Sequence, residues 1–271
     1  MGTWTIDRPD RLTLDGEVKR LKVNLLHGRL NVVGTDGPAR VEVSSISSKP
    51  LSVTLGEDGL LTVAHEEVPK WPALLWWLIG RKFRADVSIA VPRTAAASLN
   101  VAAGSVVAST LRNGAQVDVT SGRITLLGLD GAVHAKLISG PIEALGIGGE
   151  LDLETVSGEI TLADSTARNV RARTISGSLT CDLDNPPYDS KIRLETTSGE
   201  ITARVREDSD LQVTLAAISG RVTCAFPELQ HDGRRTVAGR LGAGSGQLYA
   251  NATSGNISLL RRPVDYDEDD A

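Results

Sequence analysis

A glycine that recurs at nearly constant spacing constrains this chain more than any other feature. Eight such glycines have successive spacings of 18, 18, 18, 19, 22, 21 and 35 residues, and all but the first follow a serine. They are Gly104, Gly122, Gly140, Gly158, Gly177, Gly199, Gly220 and Gly255. Mostly apolar residues lie 7, 5 and 3 positions before each glycine and 2 and 4 positions after it. This alternation is typical of strands with one buried face, and Ser-Gly is typical of a tight corner at positive φ.

A repeat of about 20 residues that carries short strands predicts a β-solenoid. We predict an all-β, single-domain β-solenoid, similar to a parallel β-helix, with coils of about 18–22 residues. The domain covers residues 1–262, and the regular coils cover residues 97–260. Gly28 carries a ninth, outlying copy of the pattern, preceded and followed by irregular N-terminal strands. The excess length between Gly220 and Gly255 is interpreted as a loop insertion.

Composition limits the possible partners. Lys plus Arg is 29 and Asp plus Glu is 34, and five of the acids lie in the last seven residues. The body is therefore neutral, which argues against nucleic acid as a partner. Residues 263–271 are expected to form a disordered acidic tail.

The N-terminus has no apolar segment typical of a signal peptide, and no apolar run reaches about 20 residues. The expected location is the cytoplasm.

One stretch breaks the repeat pattern and differs from it in composition. The insertion at residues 69–84 holds three of the four tryptophans, followed by basic residues. Its aromatic and basic residues are the candidate contacts with a protein partner or an anionic membrane surface: Trp71, Trp76, Trp77, Leu78, Arg81, Lys82, Phe83 and Arg84. Aromatic and basic side chains together suit a membrane interface, but a helix folded over an open solenoid end has the same composition. Both interpretations remain open at this point.

No set of residues in the sequence predicts catalysis, a metal site or a cofactor. The exposed position four residues before the glycine alternates strictly in charge, through Asp118, Lys136, Glu154, Arg173 and Glu195. That alternation predicts ion pairs between neighbouring coils, whereas an acidic catalytic cluster needs like charges on neighbouring coils. Cys181 and Cys224 occupy equivalent inward positions two repeats apart. They would lie roughly 10 Å apart, which is too far for a disulfide.

The repeated Thr-x-Ser-Gly-x-Ile motif, as at Thr155–Ile160 and Thr196–Ile201, resembles the bacterial putative-adhesin β-strand-repeat family, also described as the toastrack domain. A strand ending in Val91-Pro92 just before the first regular coil adds to the likeness, which covers roughly Leu12 to Leu260. The resemblance implies a β-solenoid linked to the bacterial envelope and to membrane-stress regulation, without a catalytic motif. We expect a non-enzymatic scaffold or interaction module, peripheral to the inner membrane. The alternative is a carbohydrate-active enzyme that acts on acidic polysaccharide along one solenoid face.

Overall fold

The computed structural model describes residues 2–47, 49–65, 83–184 and 189–264. Within these ranges the regular structure is β-strand and no α-helix occurs, so the chain is all-β, as the repeat pattern predicts. The chain divides into two compact units, Met1–Glu143 and Ala144–Ala271. Each unit is built from two-armed coils whose inward side chains form its core. The prediction of a single domain stays a prediction.

Among the described residues, the first unit contains ten strands and the start of an eleventh. They are β1 (Gly2–Ile6), β2 (Asp10–Thr13), β3 (Arg20–Thr35), β4 (Arg40–Ile46), β5 (Leu51–Leu55), β6 (Leu60–His65), β7 (Arg84–Pro92), β8 (Ala96–Ser109), β9 (Ala115–Leu127), β10 (Ala132–Ser139) and β11 (Ile142–Leu145). Strands β3, β8 and β9 each run through a corner and pair in parallel, with Gly28 opposite Gly104 and Gly104 opposite Gly122. The predicted ninth copy at Gly28 is therefore a true coil.

Antiparallel strands close the outer side of that stack. The two halves of β3 pair in parallel with β6 and with β7, so these two strands form one further coil. Strand β6 then pairs with β5 and β5 with β1, while β7 pairs with β4 and β4 with β2, all antiparallel. Strands β5 and β6 form a hairpin, which the turn sequence Gly56-Glu57-Asp58-Gly59 between them favours. Strand β1 is an addition that the sequence pattern did not predict, because it lacks a copy of the repeat.

In the part of the second unit that the structure describes, twelve further strands follow the end of β11. They are β12 (Glu150–Ser157), β13 (Ile160–Ser165), β14 (Asn169–Ser176), β15 (Leu179–Leu183), β16 (Lys191–Ser198), β17 (Ile201–Arg206), β18 (Leu211–Ser219), β19 (Val222–Cys224), β20 (Gln230–Asp232), β21 (Thr236–Leu241), β22 (Gly246–Ser254) and β23 (Ile257–Arg262). Each coil contributes one strand before its Ser-Gly corner and one after it.

The last two coils of this unit do not stack in sequence order. Strand β16 pairs in parallel with β22, and β22 pairs in parallel with β18. After the corner, β17 pairs with β23 and β23 with β19. The coil of Gly255 is thus inserted between those of Gly199 and Gly220. Cys181 and Cys224 consequently lie three coils apart, not two, at roughly 14 Å, and both are free thiols.

The insertion between Gly220 and Gly255 is not a simple loop. It contains the antiparallel pair of β20 and β21, and β21 pairs antiparallel with β18. This pairing protects the outer edge of the parallel stack, since an unpaired edge strand can recruit other strands. The loop interpretation is corrected here: the excess length lets the chain cap its last coil and then return to insert β22.

The inward positions of the repeat form the cores of both units. Leu99, Val117, Leu153, Ile192 and Leu248 are all at most 2% exposed. Thr155, Thr174 and Thr196 also point inward, and the hydroxyls of Thr174 and Thr196 donate to the carbonyls of Gly158 and Gly177 at 3.3 and 3.2 Å. Thr155 Oγ1 has no hydrogen-bond partner among the described residues, although a buried hydroxyl usually has one.

Candidate functional site

The Ser-Gly corners form a column along one edge of each unit. All eight predicted corner glycines have φ between 129° and 159°. A Cβ built on Gly122 would lie 1.7 Å from the carbonyl oxygen of Gly104, and one built on Gly177 would lie 1.8 Å from that of Gly158. Successive coils therefore touch backbone to backbone at the corner. Only glycine fits this approach, since a side chain needs more than 3 Å.

Exposed apolar side chains stand beside this column, at the position two residues before several of the glycines. In the second unit they are Val156, Ile175 and Ile218, which are 42%, 50% and 62% exposed. Register places Val156 beside Ile175 on neighbouring strands, and Ile218 lies further along the column. Val156 and Ile175 therefore form a small exposed aliphatic patch, and Thr197 and Thr253 separate it from Ile218. The sequence pattern did not predict these residues, because it singled out the inward offsets and the charged position four residues before the glycine.

The corresponding residues of the first unit line a shallow groove of ≈400 Å³. Its apolar wall includes Leu26, Ala102 and Ile138, and Ile138 is 49% exposed. Its polar wall includes Asn24 and Asn100, whose side-chain amides hydrogen bond to each other at 3.1 Å. The groove thus places exposed aliphatic side chains beside two hydrogen-bonded amides along the same corner edge.

The candidate contact residues of the Trp-rich segment (residues 69–84) lie mostly outside the described residues. This holds for Trp71, Trp76, Trp77, Leu78, Arg81 and Lys82. The described strands on either side of the segment lie at the corner edge of the first unit, because Ala64 pairs with Asn24 and Arg84 pairs with His27, next to Gly28.

Phe83 and Arg84 are the two members of this set that the structure describes, and they differ. Phe83 is 2% exposed and its ring packs edge-on against His65, with ring centroids 5.5 Å apart. The prediction of Phe83 as a surface contact is therefore wrong. Phe83 is a core residue that packs against His65, which precedes the segment. The side chain of Arg84 is 59% exposed, at 4.0 Å from Asp86 Oδ1, and is available to an external partner.

His65 lies at the base of the segment in an apolar setting. Burial, and secondarily the charge of His27, lowers its pKa from 6.5 to about 4. Neither ring nitrogen has a hydrogen-bond partner among the described residues. Burial and the nearby Arg84 also lower the pKa of His27. Both imidazoles are therefore neutral at pH 7, and the positive charge beside the segment comes from arginine.

Ion pairs cover the sheet face before the corner in the second unit. Arg173 and Glu195, predicted to pair across neighbouring coils, lie 3.2 Å apart. Arg193 also contacts Glu195 at 2.6 Å, and its guanidinium stacks 4.8 Å from the centre of the Tyr249 ring. Hydrogen bonds from Arg193 and then Arg173 lower the pKa of Glu195. Opposite charges therefore balance each other on this face.

Carboxylates do gather on neighbouring coils after the corner, outside the column whose charges alternate. Asp164, Asp182 and Asp184 all approach Arg262, at 3.3, 3.2 and 4.0 Å. Asp182 also accepts a hydrogen bond from Arg204 Nε at 2.8 Å, and Arg206 contacts Asp184 at 3.4 Å. The bond from Arg204 is the main cause that lowers the pKa of Asp182. Offsets of five to seven residues after the glycine would have revealed this cluster.

This charge cluster differs from the carboxylate pair of a glycosidase. General acid catalysis needs one carboxyl group whose pKa is raised. Here arginines neutralise the carboxylates and the pKa of Asp182 is lowered instead. Within the described ranges, no three His, Cys, Asp or Glu residues are grouped so that they could hold a metal ion. No helix among the described residues has the length and apolar character needed to cross a membrane.

Solved structures similar to this chain share little of its sequence. No curated protein matches the chain significantly. Among solved structures, a putative lipid binding protein from Parabacteroides distasonis is 10% identical, with 93% of this chain and 97% of that chain covered and a TM-score of 0.45. A putative adhesin from Bacteroides fragilis is 14% identical, with 96% and 97% covered and a TM-score of 0.40. A putative cell adhesion protein from Clostridium sporogenes is 13% identical, with 94% and 100% covered and a TM-score of 0.32.

The family assignment rests on sequence. The Toastrack DUF4097 family model matches residues 31–260, which include all eight Ser-Gly-type corners and both arms of the regular coils. The match starts within β3 and ends within β23, so it spans most of both units. This chain belongs to the Toastrack DUF4097 family.

Proposed function

We propose that this protein is a non-enzymatic scaffold whose Trp-rich segment contacts an anionic membrane surface. The membrane is the inner membrane, approached from the cytoplasm, and the process is an envelope-related or membrane-stress response. The two arms of each coil provide a rigid support, and the strands on either side of the segment, β6 and β7, reach the corner edge of the first unit. Arg84, at the end of the segment, is exposed there.

A single observation carries this proposal: the strands on either side of the segment are already paired. Strand β6 pairs with β5 on its outer side, and β7 pairs with β4. A cap over a solenoid end is needed where edge strands lack partners. Because β4 and β5 supply those partners, strand protection does not require the segment. The end-cap interpretation loses its main physical reason, which favours an external contact.

Residue chemistry supports a membrane rather than a polar partner. Indole rings are favoured at the level of the lipid headgroups, and neighbouring Lys or Arg adds attraction to anionic lipid. The segment has both, with Trp71, Trp76 and Trp77 followed by Arg81 and Lys82. Its length is below the about 20 residues of a spanning helix, so contact would be at the interface.

Co-sedimentation with anionic liposomes tests the proposal. We expect the wild-type chain to bind and the variant Trp71→Ala/Trp76→Ala/Trp77→Ala to lose most of that binding while it keeps its unfolding midpoint. A matched control is Val156→Ala/Ile175→Ala/Ile218→Ala, which removes exposed apolar surface from the second unit. Equal binding by wild type and the Trp variant contradicts the proposal. Loss of folding in the Trp variant would instead support the end-cap interpretation.

A screen on acidic polysaccharides tests the non-enzymatic part. We expect no cleavage, because the clustered carboxylates after the corner are held by Arg204, Arg206 and Arg262. Cleavage that is lost in Asp182→Asn would overturn that part of the proposal and assign the chemistry to the charge cluster.

A further inference from the structure

The geometry points to an anion-binding site at the last corner of the second unit, with a phosphate group as its ligand. An open depression of ≈650 Å³ lies beside Gly220. Three arginines line it, Arg221, Arg234 and Arg235. This inference is independent of the Trp-rich segment and concerns a different ligand-binding function. We call the depression the arginine pocket.

The hairpin that caps the last coil holds two of these arginines in place. Arg234 and Arg235 lie in the turn between β20 and β21, and their backbone carbonyls accept hydrogen bonds from Val222 and Ala217, at 2.9 and 2.8 Å. Val222 and Ala217 lie on opposite sides of the corner at Gly220. The hairpin tip is therefore fixed across that corner, and the two side chains start from a rigid backbone. A preorganised binding group loses less entropy when a ligand binds.

Ion pairing distinguishes these arginines from several others in the unit. Arg173, Arg204, Arg206 and Arg262 each pair with a carboxylate. The guanidinium groups of Arg221, Arg234 and Arg235 have no ion-pair partner among the described residues. Three uncompensated positive charges around one depression repel each other, and an anion in the depression would relieve that repulsion. Structural ion pairing accounts for the first group of arginines but not for the second.

The polar neighbours of the pocket also suit an oxyanion. Thr223 and Ser258 line the pocket, and their hydroxyls hydrogen bond to each other at 3.0 Å. Asn256 accepts a hydrogen bond from the Arg221 backbone N–H and donates to Glu200, both at 3.0 Å. The Asn256 side chain thus lies between Arg221 and Glu200, and its hydrogen bond to the Glu200 carboxylate is on the side away from Arg221. Hydroxyl donors combined with guanidinium groups are typical of phosphate recognition.

The ligand chemistry is that of a phosphate carrying more than one negative charge. A guanidinium group binds an oxyanion through two parallel hydrogen bonds. A carboxylate has two oxygens and can engage one guanidinium group in this way, whereas a phosphate has enough oxygens to engage more than one. The phosphate could belong to a soluble phosphorylated molecule or to a lipid headgroup. Both sources share the same chemistry, and separate arms of one experiment distinguish them.

Calorimetric titration of the full chain with inorganic phosphate tests the pocket. We expect saturable binding that weakens at high salt and falls at least about tenfold in Arg221→Gln, with further loss in Arg221→Gln/Arg234→Gln/Arg235→Gln. The charge-matched control is Arg112→Gln/Arg171→Gln/Arg240→Gln, which removes three exposed arginines outside the pocket. Its affinity for phosphate should equal that of wild type. Since all substituted side chains are exposed, unfolding midpoints should be unchanged.

A parallel arm uses phosphatidylcholine vesicles with and without about one third phosphatidic acid. Vesicle binding that requires the pocket arginines and is displaced by phosphate supports the proposal with a lipid source. Phosphate binding alone supports it with a soluble source. The proposal is overturned if wild type binds neither probe saturably, or if the pocket variant binds both as well as wild type. The Trp variant separates this result from the proposed function, because it leaves the pocket intact.

Discussion

Gly177 illustrates how single residues determine this fold. Its φ is 156°, and a methyl group built on it would lie 1.8 Å from the Gly158 carbonyl oxygen. We expect Gly177→Ala to lower the free energy of unfolding by about 3 kcal/mol or more, because backbone on both strands must move apart. Urea denaturation measures this loss. Gly233→Ala is the control: Gly233 also has positive φ, 68°, but an added Cβ meets nothing within 4 Å.

The control isolates the contribution of the close approach. Positive φ alone costs an alanine about 1 kcal/mol, so Gly233→Ala should be mild. Similar destabilisation by the two substitutions would mean that the corners are not in backbone contact. At this scale the sequence was informative, because a glycine that recurs in register with inward side chains indicates a tight corner in every coil. It could not reveal that neighbouring glycines contact each other, since that distance depends on the stacking of coils.

At the scale of elements, the order of the last two coils is the main difference from our expectation. The inserted coil places Ser198 directly opposite Ser254, and Ser254 opposite Ser219. We expect Ser198→Cys/Ser254→Cys to form a disulfide under mild oxidation, in a background where Cys181 and Cys224 are replaced by serine. Mass spectrometry of the digested protein detects the crosslink.

The comparison variant is Ser198→Cys/Ser219→Cys, which sequence-order stacking would place on adjacent strands. In the structure these two residues are two coils apart, at roughly 10 Å, beyond the about 7 Å that a disulfide tolerates. This variant should therefore stay reduced. The reverse outcome would restore the sequence order. The repeat pattern cannot distinguish the two orders, because every coil presents the same inward positions in the same register.

At the scale of the whole molecule, a buried histidine and paired carboxylates make the free energy of unfolding decrease as the pH becomes acidic. The pKa of His65 is about 4 in the folded protein and 6.5 when unperturbed. The unfolded chain therefore binds more protons between these values, and the folded state loses stability as the pH falls through that range. We expect a loss on the order of 2 kcal/mol, measured as unfolding free energy against pH.

His65→Leu should remove this component of the pH dependence, while the exposed control His231→Leu should retain it. The carboxyl groups of Asp182 and Glu195 have lowered pKa values, so their contribution is present above their ordinary pKa and is lost at still lower pH. That second decline should persist in both variants. An unchanged slope between pH 6.5 and 4 in His65→Leu would show that His65 is not the responsible group.

The sequence by itself determined the fold class, the corner glycines, the inward positions and the outlying coil at Gly28. These follow from local geometry: a period of two selects the buried face, and a fixed glycine marks each corner. Only the tertiary structure decided the coil order in the second unit, the strand pair within its insertion, the burial of Phe83 and the arginine pocket. These depend on which distant strand becomes the hydrogen-bonded neighbour. The coils present equivalent edges, so the repeat pattern does not select which coil becomes the neighbour. The lengths of the connections and the pairing of the edge strands select it, and neither is encoded in the repeat.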